Sequence, residues 1–595
     1  MEESIEDIAD SNNLWHAVRF VRQDKKDELV IDPLKDVTYL ERNVLAARLD
    51  DLAARLKSGT YEPRRSMIVE VGKGNFTTRP MSHICLEDWI VAQAILNVIA
   101  PKLDEKIPKE SSYAMRLNPD RMKKASSKFY KAWYRDWPRF RRRIRAAISD
   151  EYPCIVVTDI AGYFEHVDLN LLSDMILELG ISREIVNLIF AQLQQWTWRH
   201  QYFASRSRGL LQGNDISSMY ANFYLKEVDK RFGDLGVQYH RYMDDIVIHA
   251  RDQREGRLAL GELARFVRQL GLSLNSGKTR VLSSCEEIEN FFNFSLEDEL
   301  EAHLRQLKRT GETRETRKQR RLLSTRIKRS RNTYLQKRII TAYARARDRS
   351  FAGTAFRLLA TAPEFSDNLC RYFRSLDDEG CVLSLVSFLE DKSQNIFPAQ
   401  EQQVLECLLS MTVSDPLVRE RLADLGWKKL GDSSAHPYSR SLAILLVYRC
   451  GGMNDVGRLV DRYLEKAEPH PLPKRHLALA ATRLVDDPRT ERVIDKLKSE
   501  VDPDLTELGL LMEQLQKPAT KKVKSMLEAS SLHIDYYEKP AKCEVYRLGI
   551  RDLVIVNLCR MSPERERVRA KVEQWLPKVG CSTSRRLLEE TRLRI

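Results

Sequence analysis

The chain has 595 residues, 98 Lys and Arg against 85 Asp and Glu, and 43% hydrophobic residues, enough apolar material for at least two cores. Its ten cysteines include no C-x-x-C pair, which argues against a disulfide framework or a zinc ribbon and for a reduced cytoplasmic setting. No apolar stretch reaches transmembrane length and no signal peptide is seen, so no membrane partner is expected.

In chain order, Leu56-Lys57-Ser58-Gly59-Thr60-Tyr61-Glu62-Pro63 leads into a strand-like run at 67–71, a turn at Gly72-Lys73-Gly74, and Arg79-Pro80-Met81. Residues 86–96 have the apolar spacing of an amphipathic helix, and Ser112-Tyr113-Ala114-Met115-Arg116 and a basic cluster at 139–145 follow. Residues 154–160 are a continuous apolar run ending in an acid, the pattern of a buried central strand that delivers Asp159 at its end. Gln212-Gly213 opens a turn into a helix that runs to Leu225; the glycine permits close backbone approach, and the helix N-terminus offers unpaired N–H groups. Tyr242-Met243-Asp244-Asp245 then sits at a tight turn between strand-like runs at 237–242 and 246–250, a hairpin presenting carboxylates at one end of a sheet. Asp159, Asp244 and Asp245 from separate strands suit two Mg²⁺ ions about 3.5–4 Å apart, one activating an attacking oxygen and one stabilising departing pyrophosphate.

These segments, in this order, resemble the motifs of reverse transcriptases. Asp159-Ile160-Ala161-Gly162-Tyr163-Phe164 resembles motif A, 212–225 motif B, 242–245 motif C, and Leu270 to Thr279 motif D. The resemblance covers roughly residues 40 to 300. It implies an α+β right-hand polymerase with Asp159, Asp244 and Asp245 as catalytic acids, and Asp159, Ile160, Asp244 and Asp245 at two Mg²⁺ ions, for which Mn²⁺ can substitute. It implies that Phe164, next to Tyr163, packs under the sugar of an incoming dNTP and collides with a 2′-hydroxyl. Gln212 and Gly213 would shape the nucleotide site, and Lys73, Arg79 and Lys278 would neutralise its phosphates, Arg79 by a bidentate grip. Two prolines usual in the family's motif B are replaced here by Leu211 and Ser218, and a primer-grip hairpin is assigned to Asn290-Phe291-Phe292-Asn293-Phe294, which lacks the usual Leu-Gly pair.

Residues 301–350 hold 17 Lys and Arg against 4 Asp and Glu, an excess of +13 that equals the net charge of the whole chain. Apolar residues interleave them at helical spacing, so a thumb with a basic face is expected, in which Arg317, Lys318, Arg320, Arg321, Arg326, Lys328 and Arg329 grip nucleic-acid phosphates. From 351 the texture changes to successive helix-length patterns at 382–389, 401–412, 439–450, 455–466, 475–485, 489–499 and 505–515, broken by prolines and Gly451-Gly452. They suggest an all-α solenoid resembling HEAT repeats or an irregular helical bundle. The expected division is an N-terminal extension at 1–40, fingers at 41–157, palm with part of the fingers at 158–296, thumb at 297–350 and a helical repeat-like domain at 351–595.

A polymerase core followed by such a tail looks most like the bacterial abortive-infection and other defence-associated reverse transcriptases. That group implies antiviral defence, and some members polymerise without a template or start from a protein hydroxyl. The implied partners are dNTPs, an RNA template or non-coding RNA, a DNA product, and a second copy or another protein held by the helical domain. A retron-like or group II intron-like enzyme, an RNA-dependent RNA polymerase and a non-catalytic nucleic-acid-binding protein are the rival readings.

Overall fold

The computed structural model describes residues 3–24, 42–123, 127–148, 151–197, 207–213, 215–330, 332–465, 468–484, 487–516, 533–535, 545–547, 550–559, 565–579 and 582–593. Residues 25–40 of the expected N-terminal extension, Asn214 of the Gln-Gly loop and Arg331 of the basic run lie outside them. The described residues fall into two compact units, one from 3–24, 42–69 and 80–298, the other from 70–79 and 299–593.

The first unit is built on a four-stranded antiparallel sheet. Its strands are β3 (Cys154–Asp159), β4 (Gln238–Tyr242), β5 (Asp245–Ala250) and β6 (Arg280–Leu282), ordered β4-β5-β3-β6, while β1 (Met67–Gly72) and β2 (Thr78–His83) form a separate hairpin. β3 is central because both faces of its run are apolar: Cys154, Ile155 and Val156 are all at most 1% exposed. Alternation divides its side chains. Ile155 joins Val247, Leu282, Phe140 and Ile144 in one core cluster, against which Val157 and Tyr242 pack, so the helix Trp133–Ala147 covers that face. Val156, on the other face, meets the helix Gln253–Gln269 so closely that a Cβ on Gly256 would lie 3.0 Å from Val156 Cγ2.

The N-terminal residues are part of this unit rather than an extension. Asn13, in the helix Ser11–Asp24, donates to Ala94 O at 3.1 Å and accepts from Asn97 Nδ2 at 2.9 Å, both in the helix Leu86–Glu105. The primer-grip expectation is also corrected. Residues 290–294 form the end of the helix Cys285–Phe292 and the start of Phe294–Thr310, with Asn293 between them at φ 54° as a left-handed cap. A Ser284 cap, with Oγ accepting from Glu287 N at 3.1 Å, starts the first helix. The stacked rings of Phe292 and Phe294, centroids 5.1 Å apart, are core and lie under the Arg141 guanidinium.

In the second unit, Phe294–Thr310 leads into the helices Arg314–Ser330 and Thr333–Ala346, where the basic thumb was expected. The helices Ser366–Leu376, Pro398–Ser410, Pro437–Cys450 and Pro471–Ala481 then pack each on the next as one layer. Glu379–Glu390 packs on Pro416–Gly431, and Met453–Glu465 on Pro488–Lys498, beside that layer. Two structural repeats are visible within it. His436 and His470 each cap a helix whose first residue is proline, accepting from Tyr438 N at 3.3 Å and Leu472 N at 3.2 Å. Thirteen positions along each helix segment, buried Arg449 donates to Leu409 O and Met411 O, both at 2.8 Å, and Arg483 donates to Tyr448 O, satisfying carbonyls at the end of the preceding layer helix. The C-terminal region is helical as expected, with one small antiparallel ribbon of β7 (His533–Asp535) and β8 (Val545–Arg547) among its described residues.

Candidate active site

The site grows from the register of β3 on β5. Asp159 lies directly opposite Asp245, so both side chains leave the same face of the sheet at its end. Tyr242 pairs with Asp245 across the hairpin, leaving Met243 and Asp244 as the turn, and Met243 takes a left-handed φ of 60°. Tyr242 is fixed from the side by Trp137, whose ring meets it edge-on at 5.0 Å. The three acids expected from sequence are therefore brought to one strand end. Ile160 follows as a buried bridge residue paired with Leu274, and Asn275 N donates to Asp159 O at 2.8 Å.

The charges there are unbalanced in a way that suits a cation. Asp159 is 4% exposed; one of its oxygens pairs with Lys278 Nζ, while Oδ1 is buried with no hydrogen-bond partner among the described residues. Asp245 has its carboxyl pushed up to about 7 by burial, by Asp244 and by Asp159, against the partial relief of Lys278. Its outer surface is solvent-exposed, which tempers the burial contribution and leaves the crowding of like charges as the firmer cause. Burial pulls Lys278 down, but the hydrogen bond and charge of Asp159 and the charges of Asp245 and Asp244 raise it overall. Among the described residues no three His, Cys, Asp or Glu side chains are already arranged as a metal cage. The donor set nonetheless fits hard divalent ions: oxygen ligands only, one buried orphan oxygen, and an ammonium already drawn to the same carboxylate.

A pH dependence follows. A carboxyl raised in the folded chain gives stability that is present below the unfolded value and lost as pH rises through about 7. A Mg²⁺ ion held by Asp245 would take its deprotonated form, so the Mg²⁺ needed for half-saturation would rise by up to about tenfold per pH unit below neutrality and level off above it. Calorimetric Mg²⁺ titrations between pH 5.5 and about 8.5 check this; a flat response would remove Asp245 from the ligand set.

Tyr163 and Phe164 separate into two roles. Tyr163 is 2% exposed, and its hydroxyl donates to Ala221 O in the buried helix Ile216–Tyr224. Phe164 is half-buried, edge-on to Tyr163 at 5.7 Å, and its carbonyl accepts from Leu210 N at 2.6 Å. The same segment continues to Gln212, whose carbonyl accepts from Ser82 N of β2 at 2.9 Å. Gly213 has φ 100°, a conformation that a side chain would strain, and both Gln212 and Gly213 are partly accessible. Asp159, Phe164, Gln212, Gly213 and Lys278 thus belong to the first unit.

Lys73 and Arg79 are exposed on the tip between β1 and β2, which belongs to the second unit. That tip is anchored there: a Cβ on Gly72 would lie 2.7 Å from Pro363 Cβ, and the Phe76 ring stacks on Phe397 with centroids 6.2 Å apart. On the helix Arg314–Ser330, Arg317, Lys318, Arg321, Arg326, Lys328 and Arg329 are exposed, although Arg317 pairs with Glu312 and Arg326 with Glu299. Arg320 is a correction. It is 0% exposed, forks onto Glu312 with bonds of 2.7 and 2.8 Å, pairs with Asp348 and lies over the Tyr343 ring, so it cannot grip phosphates. Helical periodicity points it inward with Thr316, Leu323 and Ile327.

Sequence reasoning also passed over Arg241 and Asp229, which with Asn222 of the motif B segment form a buried polar group behind the acidic turn. Neither stands out locally in the sequence: Asp229 lies among Lys226, Glu227, Lys230 and Arg231 on the helix Lys226–Asp234, and Arg241 follows His240 just before the acidic turn.

Residues 72–324 match the family model described as reverse transcriptase (RNA-dependent DNA polymerase). Protein YkfC of Escherichia coli strain K12 is 24% identical over 272 residues, covering 40% of this chain and 68% of that protein. A solved structure of telomerase from Candida albicans, in complex with a TWJ fragment of telomeric RNA, is similar over 65% of this chain and 67% of that one, at 10% identity and a TM-score of 0.30, a remote likeness. Among the described residues no helix is long and apolar enough to cross a membrane. Residues 72–324 are accordingly a reverse transcriptase domain, and the chain is an RNA-directed DNA polymerase, a nucleotidyltransferase.

Proposed function

We propose that the chain extends a DNA strand by in-line attack of a 3′-hydroxyl, or of a tyrosyl hydroxyl, on the α-phosphate of a dNTP, with pyrophosphate leaving. The observation that carries this reading is the cross-strand pair Asp159 and Asp245, with Asp244 beside it and Lys278 drawn to Asp159. Asp159, Asp244 and Asp245, with Ile160, would hold two Mg²⁺ ions. When bound, such ions polarise the attacking and leaving oxygens. The chain's own residues do the remaining work. Phe164 walls off the sugar's 2′ position, Gln212 and Gly213 bound the base-pair side, and Lys278 offers an ammonium to the departing phosphates. Lys73 and Arg79 are assigned to the nucleotide phosphates, and Arg317, Lys318, Arg321, Arg326, Lys328 and Arg329 to the phosphates of a bound duplex.

We further assign the enzyme to the bacterial abortive-infection and defence-associated group, with its C-terminal helices as a HEAT-like stack that holds an RNA, a second copy or a partner protein. The support is a polymerase core followed directly by paired helices. Synthesis without an added template, or from a protein primer, belongs to the same proposal.

The test is extension of a DNA primer on RNA and on DNA templates, with dNTPs and rNTPs side by side, together with sequencing of the nucleic acid that co-purifies with the chain. Mg²⁺-dependent dNTP incorporation is expected; its absence on every template, or a preference for rNTPs, overturns the reading. Phe164→Ala is expected to raise rNTP use relative to dNTP use by roughly 10- to 100-fold, by removing the ring that meets the 2′-hydroxyl. Unchanged discrimination would leave Phe164 as packing against Tyr163.

A further inference from the structure

The turn bearing Asp244 and Asp245 pivots on Met243, whose φ of 60° a residue with a Cβ seldom adopts. Such a conformation persists only where its surroundings over-determine it. Arg241, at the end of β4, supplies those surroundings from the interior. It is 0% exposed. Its Nη1 donates to Met243 O at 3.0 Å and to Asn222 Oδ1 at 2.9 Å. Its Nε donates to Asp229 Oδ1 at 2.7 Å, and its Nη2 pairs with the other oxygen of Asp229 and reaches Asn222 O at 3.3 Å.

The partners are themselves fixed. Asn222 Oδ1 also accepts from Ser112 Oγ at 3.0 Å, and Asn222 Nδ2 donates to Ala114 O at 2.9 Å. The main chain of Arg241 is tied at both ends of its peptide, its N–H donating to Ser111 O at 2.7 Å and its carbonyl accepting from Tyr113 N at 3.0 Å. One guanidinium therefore joins the Gln-Gly helix, the helix Lys226–Asp234 and the pivot of the acidic turn. Placing a full charge in a core is costly, and apolar packing would give comparable or greater stability, so the pair is explained better by the geometry that it enforces than by the stability that it adds. The planar fork matters: a bidentate bond to Asp229 leaves a further N–H directed at Asn222 and Met243, which a lysine's single nitrogen cannot reproduce.

We propose that Arg241 is a positioning residue for nucleotidyl transfer: by holding the Met243 carbonyl it locks the left-handed turn that sets Asp244 and Asp245 against Asp159, with Asp229 and Asn222 aiming the guanidinium. The proposal rests on the reading of the three acids as metal ligands.

The test uses the full chain with Arg241→Lys, which keeps a cation opposite Asp229 but cannot span the same acceptors. The expected result is a kcat for dNTP incorporation lower by about 30- to 100-fold, with the dNTP KM changed less than about twofold. In the metal-free protein, amide exchange at residues 243–245 should accelerate by at least about tenfold, while amides at 155–158 of β3 change less than about twofold. A folded Arg241→Lys chain with wild-type kcat and wild-type exchange at the turn overturns the proposal, as does acceleration spread evenly over β3, β4 and β5. Should the lysine variant not fold, Asn222→Ser, which leaves the Arg241–Asp229 pair intact, is read by the same two measurements: a smaller shift of the same sign supports the proposal and no shift overturns it. Asp244→Asn separates the two levels of inference. If that variant still incorporates dNTPs, the metal reading fails; if it is inactive while Arg241→Lys is unaffected in kcat and exchange, the positioning role alone fails.

Discussion

Asp244→Asn is expected to lower Mg²⁺-dependent dNTP incorporation by at least about a thousandfold, on the order of 4 kcal/mol of transition-state stabilisation. The fold should not suffer. Asp244 sits at the turn, and its charge helps push the Asp245 carboxyl up to about 7, so removing it relieves repulsion in the metal-free protein. The thermal unfolding midpoint without metal should therefore hold or rise slightly, within about 2 °C. Single-turnover incorporation and a metal-free thermal scan check the two halves; undiminished synthesis would remove Asp244 from the catalytic set.

The largest effect on stability is expected at Arg320→Ala. The substitution leaves Glu312 and Asp348 facing each other without their shared cation, and the loss should be about 3–5 kcal/mol at neutral pH. Hydrogen bonding to Arg320 is the main reason that Glu312 titrates below the usual carboxylate range. Asp348 is lowered too, its bonds to Arg320 and Ser350 outweighing burial. Stability from such depressed carboxyls is present above their unfolded values and lost as pH falls through the folded ones, so the gap between wild type and variant should narrow below about pH 4. Lys318→Ala, on the exposed side of the same helix, should cost less than about 0.5 kcal/mol and instead weaken nucleic-acid binding, with a shallower salt dependence. Urea denaturation of the full chain at pH 7 and at about pH 3, with filter binding across salt, separates the pair. Equal stability of the two variants would show that the buried fork is not what holds this helix.

The acidic turn and the central strand were legible in the sequence because their signals are local. An apolar run ending in Asp159 and an acid pair between alternating residues each determine where their side chains go once the strands pair. The helices from 379 onward were legible for the same reason, from proline breaks and apolar spacing. What stayed hidden depends on contacts between distant segments. Arg320 reads as one of a row of cations; helical spacing sets it on the face of Leu323 and Ile327, but the acids and the Tyr343 ring that receive it there come from outside the helix. The aromatics at 291–294 read as a hairpin tip, whereas a serine cap, a left-handed Asn293 and the Arg141 guanidinium make them a helix junction. The repeat pairing of His436-Pro437 with His470-Pro471, and of Arg449 with Arg483, is present in the sequence at equal intervals. Two copies are too few to stand out until the buried arginines are seen capping successive helices.

The anchoring of the β1–β2 tip bears on how the molecule can be dissected. Gly72 and Phe76 rest on Pro363 and Phe397, side chains that lie well beyond the reverse transcriptase domain in sequence. A chain cut after residue 350 would bare the Phe76 ring, remove the wall against which Gly72 is fitted, and release the segment that carries Lys73 and Arg79. The segments that carry Pro363 and Phe397 therefore serve as the seat of the β1–β2 tip, and a fragment without them would present that tip unsupported.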